Sequence, residues 1–209
     1  MMPPLFVTGT DTGVGKTVLS ALLCAALDGI YWKPVQTGAL EGTDRQTVMQ
    51  LAELLEERTL PECYLFDPPV SPHLAAEQRA VRIDLSQIQL PSHPVRRIIV
   101  EGAGGVLVPL NETELMIDLI QHLSADVIVA CRTALGTINH TLLTIAALRA
   151  RKIGIKGVVM LGNENRDNER AIAKYGNIPV VGHVPHLEAI NRQALLDTYR
   201  LHFDHAAFA

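Results

Sequence analysis

The 209-residue chain carries only three cysteines, Cys24, Cys63 and Cys131, and no two of them are spaced as CxxC. This excludes a disulfide framework and a paired-thiol site. Cys24 and Cys131 sit within apolar runs, so the thiols read as buried and free. Positive charge is also scarce. Lys and Arg number 18 against 22 Asp and Glu, giving a net charge of −4 with no basic cluster, so neither nucleic acid nor an anionic membrane is an expected partner. No apolar stretch reaches the ~18 residues of a membrane span. The start, Met1-Met2-Pro3-Pro4, lacks the basic and apolar segments of a signal peptide, so a cytosolic protein is expected. Repeats and low-complexity tracts are absent as well.

Apolar side chains dominate what remains: 48% of residues are hydrophobic and 19% charged. That balance suits a sheet buried on both faces, whose strands are apolar throughout rather than alternating. The length fits one domain spanning 1–209. Leu5 to Thr8 reads as a strand running into a Gly-rich turn, followed by an Ala- and Leu-rich helix from Thr17 to Leu27. Ile30 to Val35 reads as a second strand, and Asp44 as the cap of a helix through Val48, Leu51, Leu54 and Leu55. Residues 59–94 hold six of the twelve prolines and are expected to form an excursion with one or two short helices, packed down through Tyr64, Leu65, Phe66 and Leu74. Ile98 to Val100, Ala125 to Ala130, Gly157 to Leu161 and Pro179 to Val184 read as further strands. Helices are expected over Thr137 to Arg151 and Asn191 to Phe203, with Asp118 structural in a helical run from Met116 to Leu123. Alternating strands and helices imply an α/β fold, a mostly parallel sheet with helices on both faces, and ligands bound at the carboxyl ends of the strands.

Several strand ends carry chemistry. Gly9-Thr10-Asp11-Thr12-Gly13-Val14-Gly15-Lys16-Thr17 lies between the first strand and helix, where a P-loop belongs. Glycines at 13 and 15 let the amides of Thr12 to Thr17 turn inward on phosphates, Lys16 reaches the β and γ phosphates, and the Thr17 hydroxyl ligates magnesium. The strict motif would place its first glycine at position 10, where the chain has Thr10 after Gly9. Lys33, in Lys33-Pro34-Val35-Gln36-Thr37-Gly38, is either a second ammonium near the γ-phosphate or a surface lysine before a proline turn. Glu101 ends an apolar strand before a Gly102-Ala103-Gly104-Gly105 turn, a place for a magnesium-facing carboxylate beside ligand-facing amides. Asp44 is a second acidic candidate or a plain helix cap. Gly136-Thr137-Ile138-Asn139 opens the longest helix, whose free amides suit a carboxylate or phosphate. The eight histidines, among them His183, His186, His202 and His205, read as surface or loop residues, because no third ligand accompanies any pair.

Taken in order, GTDTGVGKT, KPVQTG, Ser71-Pro72-His73, VEGAGGVLVPL, Gly136 to His140 and Gly182 to Leu187 closely resemble the dethiobiotin synthetase family from end to end. The resemblance implies a single-domain P-loop NTPase fold and an ATP- and Mg2+-dependent cyclo-ligase of biotin biosynthesis. Such an enzyme converts 7,8-diaminononanoate and CO2 to dethiobiotin, ADP and phosphate through a carbamate and a carbamic-phosphoric anhydride. Lys16 and Lys33 would then be catalytic, Thr17, Asp44 and Glu101 would hold the metal, and Thr37 would meet the substrate. A homodimer is implied, with the substrate carboxylate at the Gly136 to Asn139 helix start of the partner. At the base-binding segment the chain has Leu161 where the family has asparagine. Gly162 and Asn163 follow directly, and Pro185, His186 and Leu187 would complete the base pocket. The rival is a MinD/ParA-like ATPase assembly switch. That class has a signature lysine early in the loop, where this chain has Asp11.

Overall fold

In the computed structural model, which describes residues 2–91 and 96–208, the strand Leu5–Gly9 (β1) is buried along its whole length and lies at the centre of a seven-stranded sheet. The chain runs from β1 through helix Lys16–Ala26 (α1) to Ile30–Trp32 (β2), then Val35–Gln36 (β3), Asp44–Ala52 (α2), Thr59–Leu60 (β4), Tyr64–Leu65 (β5) and Pro72–Gln78 (α3). It continues through Ile98–Gly105 (β6), Met116–His122 (α4), Asp126–Arg132 (β7), Thr137–Ala150 (α5), Ile155–Leu161 (β8), Arg166–Gly176 (α6), Val180–Val184 (β9) and Arg192–His202 (α7). The sheet order is β4-β2-β6-β1-β7-β8-β9, and every pairing in it is parallel.

Successive residues of β1 go to opposite faces. Phe6 joins an apolar cluster with Ile98, Val100 and residues of α3 to α6, while Leu5 and Val7 join Tyr31, Ile99 and residues of α1, α2 and α7. Both faces are thus covered, as the apolar strands require. From β1 the chain first moves toward β2 and later crosses to β7. The carboxyl end of β1 therefore lies at the point where the winding reverses, the place where ligands bind in such sheets.

Four local readings are corrected. The strand expected over Ile30 to Val35 breaks at Lys33-Pro34. Proline has no N–H for the ladder, and β3 leaves the main sheet to pair with β5. Thr43, not Asp44, caps α2: its hydroxyl accepts from Gln46 N–H, and Gln46 answers to the Thr43 amide. The same helix ends at Ala52 because Glu53 turns left-handed at φ 51°, so Leu54 and the exposed Leu55 lie beyond it. Residues 102–105 are strand, not turn. β6 continues to Gly105, and a Cβ on Gly102 would come within 2.7 Å of the Phe6 ring, so glycine is what lets the strand pass.

The proline-rich excursion contains one helix, α3, and a short 3-10 turn over Leu85–Gln87, together with β4, which forms the sheet edge, and β5. Phe66 packs into the core, but Leu65 and Leu74 are exposed. Its last residues, 92–94, lie outside the described residues. Asp118 accepts the Leu115 amide at 2.7 Å and pairs with Arg151 at 2.7 Å, a structural role. Cys24 and Cys131 are buried, and burial raises both thiol pKa values, whereas Cys63 is exposed, since it sits in the loop just before β5. Among the described residues no helix is long and apolar enough to cross a membrane.

Candidate active site

The loop after β1 owes its shape to three glycines. Gly13 and Gly15 take φ of 69° and 97°, and Gly15 starts α1 without a side-chain cap, leaving the first-turn amides free. Gly9 accounts for the displaced first glycine. A Cβ there would lie 2.8 Å from the Asp11 carbonyl and 2.8 Å from Val14 Cγ2, so the tight crossing falls at position 9. Thr10 instead fastens the loop by donating its N–H to the Ala130 carbonyl at 3.0 Å. Lys16 is buried, with Nζ donating to the Asp11 carbonyl at 3.2 Å. Burial pulls its pKa below the ordinary lysine value and nearby Lys33 adds to this, against the opposing pull of Glu101 and Asp44.

Around α1's start, side chains from α1, α2, β6 and the link after β2 converge. The Thr17 hydroxyl lies 2.7 Å from Asp44 Oδ1 and 3.1 Å from Glu101 Oε1. Lys33 Nζ donates to Asp44 Oδ2 and, at 3.2 Å, to Glu101 Oε1. Lys33 is therefore no surface lysine. Burial alone would lower its pKa, but Glu101 and Asp44 beside it outweigh that and raise it. Asp44's own burial is likewise outweighed by Lys33 and by the hydrogen bond from Thr17, which hold its pKa below the usual carboxylate value. The register explains the meeting: Trp32 pairs with Val100, so Lys33, just past the end of β2, and Glu101 on β6 come next side by side.

Two members of this cluster escaped the sequence reading. Tyr31 is fully buried, and its hydroxyl donates to Glu101 Oε2 at 3.0 Å; it sits two residues before Lys33, hence on the same face of the strand. Burial and the adjacent Glu101 raise its pKa well above the ordinary tyrosine value, so it stays a donor. Gln36 accepts the Asp44 amide at 3.1 Å and donates to the Thr37 carbonyl at 2.6 Å, tying the start of α2 to the Thr37 loop. Tyr31→Phe strands one oxygen of a buried carboxylate, and a loss of about 2 kcal/mol in unfolding free energy is expected. Urea titration checks it; coincident curves for variant and parent would show that the hydroxyl adds nothing.

Two clefts flank the loop. One of about 640 Å³ is lined by Thr12, Lys16, Thr17, Lys33, Asp44 and Glu101, and Thr37, Ala103, Gly104 and Ser71 also reach it. The other, about 410 Å³, is lined by Val14, Leu161, Gly162, Pro185, His186 and Leu187, with Gly13 and Gly15 shared between the two. Asn163 is exposed and outside this second cleft, whereas Leu161 packs on the loop: a Cβ on Gly15 would meet its Cδ2 at 2.6 Å. Gly102 lines neither cleft, being covered by Phe6. Gly136, Thr137, Ile138 and Asn139 lie apart from both clefts. Gly136 and Asn139 are exposed, Gly136 takes φ 94°, and the Thr137 hydroxyl donates to the Arg132 carbonyl at 2.5 Å. His183 is a strand residue bonded to the Gly162 carbonyl at 2.7 Å, not a loop histidine.

Among the described residues no three His, Cys, Asp or Glu side chains converge as a metal cage. The oxygen set of Thr17, Asp44 and Glu101 nonetheless fits Mg2+, a hard ion held by one or two carboxylates and otherwise by water and phosphate.

The model of the AAA domain family designated AAA_26 matches residues 4–194. An ATP-dependent dethiobiotin synthetase BioD from Rhodopseudomonas palustris (strain BisA53) is 50% identical over 195 residues, covering 93% of this chain and 91% of its own. The enzyme of the same name from Agrobacterium fabrum is 46% identical over 202 residues, covering 97% and 95%. Among solved structures, a ParA family ATPase from Chlorobium tepidum superposes with a TM-score of 0.59 at 12% identity, covering 96% of this chain and 98% of its own, a likeness of fold alone.

Proposed function

Because this chain belongs to the ATP-dependent dethiobiotin synthetase family, a family of cyclo-ligases, we propose that it closes the ureido ring of dethiobiotin from 7,8-diaminononanoate and CO2 at the expense of ATP. One amine attacks CO2 and loses a proton to give a carbamate. A carbamate oxygen attacks the γ-phosphorus and ADP leaves. The second amine then attacks the carbonyl carbon of the resulting carbamic-phosphoric anhydride, losing a proton, and phosphate departs as the ring closes.

The difficulty in this sequence is charge, since an anionic carbamate must approach a polyanion. The observation that carries the proposal is the position of Lys33, a buried ammonium at the wall of the cleft that Lys16 and Thr37 also line. Lys16 draws charge from the β and γ phosphates, Lys33 meets the carbamate and the transferring phosphoryl group, and the Thr37 hydroxyl bonds the substrate end. Thr17, Asp44 and Glu101 would hold Mg2+, which supplies charge neutralisation across the phosphates. The Gly13 to Thr17 amides cradle the phosphates, while Ala103 and Gly104 border the same cleft. Gly162 and Pro185 to Leu187 form the base pocket, with Leu161 as its apolar floor and Asn163 left outside.

The start of α5 serves a second subunit in this reading. The Gly136 to Asn139 segment, exposed at Gly136 and Asn139, lines neither cleft of its own chain, and Leu107, Leu135 and Leu143 are exposed, in keeping with an interface between copies. The partner's substrate carboxylate would take the free amides there.

Incubation with the diamine, labelled bicarbonate, ATP and Mg2+ should carry label into an acid-stable product in step with ADP release. ATP hydrolysis that needs no diamine and leaves no label in such a product would instead favour an assembly switch, although Asp11 rather than lysine occupies the loop.

A further inference from the structure

Arg132 ends β7 and takes no part in the steps above. Its Nη2 donates to the Thr12 carbonyl at 3.0 Å and lies 3.5 Å from where a Cβ on Gly13 would sit. It lines the 410 Å³ cleft together with Gly13, Val14 and Gly15, and among the described residues no aspartate or glutamate lines that cleft. An arginine beside an anion-binding loop, with no carboxylate among its cleft neighbours, has its charge uncommitted. One of its five N–H donors is spent on Thr12, which fixes the guanidinium against the loop, and the others remain for a ligand.

We infer that Arg132 is a nucleotide-binding residue that contacts the β or γ phosphate of the bound triphosphate from the β7 side of the loop, a step that rests on the ATP reading above. The choice of phosphate follows from the loop. Lys16, the β/γ ligand of such loops, bonds the Asp11 carbonyl, and Arg132 bonds the next one along. Planar, bidentate guanidinium suits phosphate oxygens better than a point charge does. The alternative is a brace that only stiffens the loop through Thr12.

Calorimetric titration of parent, Arg132→Gln and Arg132→Lys with ATP, ADP and AMP separates these. The Gln variant should bind ATP about tenfold more weakly, the loss expected for one hydrogen bond from a charged donor, with AMP unchanged; an equal loss for ADP marks a β contact, and unchanged ADP affinity a γ contact. The Lys variant should recover part of that loss. Melting without nucleotide should be unaltered, while the ATP-induced rise in Tm shrinks. ATP affinity within twofold of the parent, or a lower nucleotide-free Tm with the ATP-induced rise intact, would overturn the assignment. Failure of the parent itself to bind ATP would overturn the nucleotide reading and the Arg132 assignment with it.

Discussion

Lys16→Ala should lower kcat on the order of 10³-fold, the scale seen when one preorganised charge donor is removed from a transferring group. The ammonium is buried, lines the larger cleft and is held 3.2 Å from the Asp11 carbonyl, so in the proposed reaction it would already stand where charge develops. Its pKa, depressed first by burial, marks a charge that the unliganded fold holds at a cost. The sign is that of a lysine whose folded value lies below its unfolded one: the charged form destabilises at neutral pH, and the penalty fades as pH rises through the folded value. The alanine variant should therefore melt no lower than its parent while losing turnover. Lys16→Arg should fail to rescue, because Nζ already sits 3.1 Å from the place of a Cβ on Gly9, and a planar guanidinium needs more room. More than about a tenth of parental kcat in the alanine variant, by steady-state assay, would remove Lys16 from phosphoryl transfer.

The parts of the molecule that were legible in advance are those encoded over short spans. β1, its loop and α1 follow from an apolar run, a glycine pattern and a lysine within one turn of chain, and the alternation of later strands and helices follows from hydrophobic periodicity. Where the reading failed, the deciding contact was distant. Whether the chain can run on as strand past Gly102 depends on Phe6, far away in sequence and packed against it. Whether Lys33 is surface or core depends on Asp44 and Glu101 closing over it from α2 and β6. Tyr31, Gln36 and Arg132 carry no motif of their own. Each is held in place by a partner, Glu101, Asp44 or Thr12 respectively, that the fold brings near. The displaced glycine shows the same limit from the other side: the strict motif places glycine at position 10, but the backbone crossing that requires glycine falls at 9.

Lys33→Ala tests both stability and chemistry, and the two should part company. Lys33 is the ammonium hydrogen-bonded to both Asp44 and Glu101, whose side chains are 26% and 1% exposed. Removing it leaves two carboxylates, one of them fully buried, without that cation, and breaking a buried pair from one side costs about 3 kcal/mol or more. The unliganded variant should thus melt well below the parent. Millimolar Mg2+ should raise its Tm more than it raises the parent's, since a cation among Thr17, Asp44 and Glu101 replaces the missing charge. Glu101→Gln added to Lys33→Ala should recover much of the lost stability, because the stranded charge is gone. Turnover should recover in neither case. kcat is expected to fall on the order of 10²-fold while the Kd for ATP stays within about threefold, the signature of a group that acts on the transferring phosphoryl rather than on ground-state binding. Unchanged turnover in a Lys33→Ala protein folded with Mg2+ would assign Lys33 to holding the acidic pair together and leave the carbamate to be met by Lys16 alone.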